Sequence, residues 1–151
     1  DIPEDEVRGT PTLDREMSVF NGTCQWLGKE VRISLDVDIE NKATWTRARN
    51  VMKQLISGQE KWDQSLRTLA AQKLTALSNE WLADNDQTDR DPKMNPITEE
   101  EFARRILLTE FSVSPGGRFT AWYEDDEMFW GHVVTVDATL KKGPVDADIQ
   151  G

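Results

Sequence analysis

Over residues 31–40 apolar and polar side chains alternate without a break. Val31, Ile33, Leu35, Val37 and Ile39 are interleaved with Arg32, Ser34, Asp36, Asp38 and Glu40. A period of two over this length predicts a strand with one buried and one wet face, and hence a sheet covered on one side, as antiparallel sheets often are. After Asn41 the period changes. Trp45, Ala48, Met52, Leu55 and Ile56 fall on one helical stripe, and Gly58 is a stop signal. A second stripe, Trp62, Leu66, Leu69, Ala70, Leu74, Leu77 and Trp81, predicts a helix over 60–83. Its Ala, Leu, Gln and Lys are good helix formers, and the two tryptophans near its ends read as anchors in a core.

The remaining segments complete the order. A strand is predicted over 17–26, crossing Asn21-Gly22, with a tight connection at Leu27-Gly28-Lys29. Residues 84–95 are a polar loop containing Pro92. At 97–102, Thr98 is an N-cap, Glu101 closes a capping box and Ile97 can staple onto Phe102, so a short helix follows and ends near Ile106. Strands are predicted over 108–113, 118–123, 128–140 and 145–149, with turns at 114–117, 124–127 and 141–144. The fold class is therefore α+β: a twisted antiparallel sheet of about five to six strands drawn from both ends of the chain, one face packed against two central helices plus a short third. Residues 1–16 lack periodicity and read as a flexible arm, leaving 17–151 as a single domain.

Composition narrows the partners. With 28 Asp and Glu against 18 Lys and Arg, the net charge is −10. Such a surface repels nucleic acid and anionic membranes and steers basic proteins toward it. No apolar run is long enough to span a bilayer, and no signal peptide is visible. Cys24 is the single cysteine, which rules out a disulfide framework, fits a reducing cytoplasm and reads as a small buried thiol. The oligomeric state stays open.

The unusual residues gather late. Residues 118–137 hold Trp122, Trp130, the single tyrosine Tyr123, the single histidine His132, and the acid run Glu124-Asp125-Asp126-Glu127. Trp122 and Trp130 are expected to face each other across the 124–127 turn. Trp122, Glu124, Asp125, Asp126, Trp130 and His132 together make a candidate recognition surface, because exposed aromatics usually signal a partner. His132 is the candidate general base. Alone it cannot build a histidine zinc site, and beside Gly131 it also reads as a histidine at a strand bulge. Asp36, Asp38 and Glu40 share one predicted strand face and are the candidate metal ligands, although a plain wet sheet face explains the pattern and no metal is expected. No dinucleotide, Walker or nucleophile-elbow motif occurs, and no cofactor is expected.

The run Phe129-Trp130-Gly131-His132-x-Val134-x-Val136, closing on Ala147-x-Ile149-x-Gly151, resembles a family of uncharacterised bacterial domains whose last strands carry F-x-G-H-x-I/V and a terminal A-x-I-x-G. Thr44-Trp45, Asn79-x-Trp81 and the helix at 97–102 look similar too. The resemblance implies a bacterial, cytoplasmic protein without an established activity, and it assigns no catalytic residue. The leading expectation is a non-catalytic acidic interaction domain, immunity-like, that binds a basic protein. The alternative is a hydrolase or small-ligand domain using His132 with nearby carboxylates.

Overall fold

The computed structural model describes residues 7–14, 19–84 and 96–150. Seven strands form one sheet in sequence order: β1 (Val7–Asp14), β2 (Val19–Trp26), β3 (Lys29–Asp36), β4 (Leu107–Val113), β5 (Arg118–Glu124), β6 (Val133–Thr139) and β7 (Gly143–Gln150). Three helices, α1 (Lys42–Ser57), α2 (Gln59–Asp84) and α3 (Glu99–Arg105), lie between β3 and β4 in the chain. The α+β architecture expected from the pattern is present, with the helices packed on the sheet. β1, within the stretch read as an arm, pairs antiparallel with β2 at the sheet edge. The polar loop at 85–95 and the terminal Gly151 lie outside the described residues.

One pairing departs from the antiparallel expectation. β3 and β4 run parallel, with Ile33 opposite Phe111 and Leu35 opposite Val113. Short turns force strands to reverse, but the chain between these two carries all three helices and returns to the starting end of the sheet. The sheet is thus a meander broken once by a helical crossover.

The core follows the alternation. Val31, Ile33 and Leu35 of β3, Phe111 and Val113 of β4, Phe119, Ala121 and Tyr123 of β5, and Val134, Val136 and Ala138 of β6 are all buried. They meet Ala48, Met52 and Leu55 of α1 and Leu66, Ala70 and Leu74 of α2. The other sheet face stays polar, with Arg32 near Glu110 at 3.6 Å and the Thr120 hydroxyl donating to Asp137 at 2.7 Å. Trp62 packs edge-on against Phe119, centroids 5.2 Å apart, and Trp81 against Phe129, also 5.2 Å. These are the two anchors read from the helix ends.

Local signals place the helices. Asn41 caps α1 by accepting from the Ala43 N–H. Gly58 alone separates α1 from α2; a Cβ there would lie 3.3 Å from the Trp62 ring, so a side chain at this corner would press on Trp62. Thr98 caps α3, its hydroxyl accepting from Glu101 N–H at 3.1 Å. The three acids of the first turn and Arg104 and Arg105 of the last suit the helix dipole. Asn79 of α2 holds the approach to α3 with two hydrogen bonds to the Ile97 backbone, 2.8 and 2.9 Å.

Candidate functional site

The segment joining β5 to β6 is longer than a hairpin turn. The strand expected from Met128 starts only at Val133, and residues 125–132 fold into a compact loop. Its organiser is Asp125, which is 4% exposed. One carboxylate oxygen accepts from the Glu127 N–H at 3.0 Å. The other accepts from Phe129 N–H at 2.8 Å and Gly131 N–H at 3.0 Å. An acid among four consecutive acids is thus a buried pin, because three backbone donors replace its lost water.

This pin holds a backbone that L-residues avoid. Asp126, Glu127 and Trp130 have φ of 49°, 63° and 59°, followed by Gly131 at 89°. Left-handed non-glycine residues cost about 1–2 kcal/mol each, so the carboxylate bonds and the burial of Phe129 must outweigh the strain. Phe129 is fully buried against Phe102 and Trp81. Trp130 is thrown outward, 54% exposed, with its ring 4.8 Å from that of Trp81.

His132 sits edge-on to Trp81 at 5.3 Å. Its Nδ1 lies 2.5 Å from the Phe129 carbonyl. A carbonyl can only accept, so Nδ1 carries the proton and Nε2 is left as the acceptor in the neutral ring. No carboxylate bonds to this imidazole among the described residues. The geometry fits a loop-closing histidine, and it supplies no acid to orient a general base.

The other candidates separate. Trp122 does not face Trp130; its cross-strand partner on β6 is Thr135. It lies on the polar sheet face, half-buried, donating from Nε1 to the Ser112 hydroxyl at 3.0 Å. The reason is strand alternation: Tyr123 and Trp122 must point to opposite faces, and Tyr123 takes the core. Glu124 is exposed at the end of β5. Asp126 is engaged by Arg105, Nε to Oδ2 at 2.7 Å and Nη2 to the backbone carbonyl at 3.1 Å.

Asp36, Asp38 and Glu40 do not share a strand face, because β3 ends at Asp36. Asp38 instead turns the chain into α1. Its Oδ1 accepts from Glu40 N–H at 3.0 Å, and its backbone N–H donates to the Thr44 hydroxyl at 2.8 Å. Among the described residues no three His, Cys, Asp or Glu side chains are grouped to hold a metal.

A polar cluster absent from the candidates lies under the sheet. Arg67 of α2 donates to Asp63 at 2.9 Å, to the Ala103 carbonyl at 2.8 Å and to the Ile106 carbonyl at 2.5 Å. It thereby caps the C-terminal end of α3, and its guanidinium lies 5.5 Å over the Tyr123 ring. Asp63 also accepts from Trp26 Nε1 at 3.0 Å. The i, i+4 spacing of Asp63 and Arg67 was visible as a helix-surface pair; that this flank of α2 turns inward was not. Burial drives the Tyr123 hydroxyl well above the ordinary phenol range, partly offset by the Arg67 charge, and the hydroxyl has no hydrogen-bond partner among the described residues. Burial likewise pushes the Cys24 thiol up to about 11, as an inert core cysteine should be.

These features define an α+β domain with one helix-covered and one polar sheet face, and with a strained aromatic loop at one end. No described helix is long and apolar enough to cross a membrane. The chain belongs to the bacterial family described as "Uncharacterized protein conserved in bacteria (DUF2262)", whose model matches residues 5–149. Comparison with curated proteins and with solved structures found no match to either.

Proposed function

We propose that this domain is a non-catalytic interaction module that binds a basic protein through its 125–132 loop, in the manner of an immunity protein masking a basic toxin. One observation carries the reading. Trp130, a residue type that dominates binding hot spots, is 54% exposed on backbone whose strain is maintained by a buried carboxylate. Strain kept at a surface position is best explained by use of that surface. Trp130 is backed by Trp81 and therefore loses little freedom on binding. The exposed Glu127 in the loop and Glu124 beside it, within a chain of net charge −10, favour a cationic partner and fast encounter. A cytoplasmic setting accords with the single reduced thiol.

The test is affinity capture from the source bacterium with the wild-type domain and with Trp130→Ala and Trp122→Ala. A basic protein should be retained by the wild type, lost with Trp130→Ala and released by salt. Trp122→Ala addresses the polar sheet face separately. Equal recovery with Trp130→Ala removes the loop as the contact.

A further inference from the structure

At the other end of β5 and β6, roughly 20 Å from the Trp130 loop along a seven-residue strand, the turns between β4 and β5 and between β6 and β7 are tied together. The Leu140 N–H donates to the Gly117 carbonyl at 2.9 Å. With α1 they border an open cleft of about 320 Å³, at the lower end of the size range of small-molecule sites. Arg47, Asn50, Val51 and Gln54 recur at i, i+3, i+4 and i+7, so a second face of α1, beside the stripe that meets the sheet, forms one wall. Lys141 and the Gly116-Gly117 backbone form the other.

The chemistry of this lining is opposite to that of the chain. Acids outnumber bases 28 to 18 overall, yet among the described residues no acid lines the cleft, while Arg47 and Lys141 line it from α1 and from the β6–β7 turn. Both are exposed, and neither makes an ion pair or hydrogen bond among the described residues. The carboxamides of Asn50 and Gln54 add neutral donors. The Gly116 N–H also makes no hydrogen bond among the described residues. The floor is apolar, with Val51 buried and Leu140 beside it.

We propose that this cleft binds a small phosphorylated metabolite. A guanidinium, an ammonium and amide donors lining one cleft suit an oxyanion with several acceptor oxygens, and the apolar Val51 and Leu140 suit the organic part. A longer polyanion such as RNA is disfavoured by the net charge of −10 on the chain. The site is independent of the loop proposed above as a protein contact.

Amide NMR titration of the whole domain with inorganic phosphate, AMP, adenosine and citrate tests it. Phosphate and AMP should shift the amides of Gly116, Gly117 and Lys141, and adenosine should not. Arg47→Gln and Lys141→Gln, both surface changes, should each weaken AMP binding about tenfold. Arg32→Gln on the polar sheet face removes the same net charge and should leave affinity within about twofold. Absence of cleft shifts with AMP and phosphate overturns the proposal. So does equal weakening by Arg32→Gln, which would reduce the effect to net charge, and so does citrate binding as tightly as AMP, which would remove the preference for phosphate.

Discussion

The Asp125 carboxylate accepts a hydrogen bond from the Gly131 N–H six residues further along the chain, at 3.0 Å. The same oxygen takes the Phe129 N–H at 2.8 Å, so one buried atom closes the loop that carries Trp130. Asp125→Ala leaves these donors and that of Glu127 without their partner. Leaving a buried polar group unsatisfied costs about 1–3 kcal/mol, and the loss of a charged acceptor puts Asp125→Ala at about 3 kcal/mol or more. Urea denaturation measures this. Asp125→Asn should fall between wild type and alanine, since it keeps one acceptor oxygen.

Arg67 supports a different junction. With 22% exposure against 14% for Asp63, the pair is sheltered enough for its loss to be felt. Arg67→Met leaves the Asp63 carboxylate with the Trp26 N–H alone and uncaps α3; breaking a fully buried pair from one side costs about 3–5 kcal/mol, and for this partly sheltered pair about 2–3 kcal/mol is expected. The double variant Asp63→Asn, Arg67→Met should recover part of that loss. A denaturation cycle over the four proteins reads the coupling; strict additivity would remove the pair as a stabilising unit.

Leu27 occupies a position that leucine rarely takes. It has φ 49° ahead of Gly28 at 83°, the arrangement of a type I′ hairpin turn, and its side chain is 47% exposed. Asn is favoured there because it tolerates left-handed backbone. Leu27→Asn should therefore raise stability by about 0.5–1 kcal/mol, seen as a higher melting temperature. The bond from the Leu27 N–H to the Gln59 side chain, 2.6 Å, is unaffected by this change.

Stability should fail on the alkaline side. The Cys24 thiol is raised from 9.0 to about 11, and the buried Tyr123 hydroxyl is raised above its ordinary 10.0. For both groups the unfolded chain ionises first. Their contribution is fully present below about pH 9 and is lost as pH rises through the folded-state values. Denaturation curves should be level in this respect up to about pH 9 and fall beyond it. Cys24→Ala should delay the onset of that fall, leaving the phenol to drive the remainder.

Much of the architecture was legible because it rests on local periodicity. The β3 alternation as far as Asp36, both helix stripes, the Thr98 cap and the tryptophan anchors appear where side-chain spacing places them. The candidate site was less legible. Glu124 to Glu127 read as four equivalent acids, yet Asp125 is 4% exposed while its neighbours Glu124, Asp126 and Glu127 are exposed. Trp122 and Trp130 read as a cross-strand pair, yet they belong to a polar sheet face and a loop.

By itself, then, the sequence determined the three helices, most of the strands and their order, and the acidic balance, because these follow from neighbours a few residues apart; it missed β1 and the loop at 125–132. Tertiary structure alone decided that β3 and β4 run parallel, that Asp125 is a pin, that Arg67 caps α3, and that Arg47 and Lys141 line one cleft. Each of these depends on where a loop returns or on which residues distant in the chain become neighbours, and no local spacing encodes that.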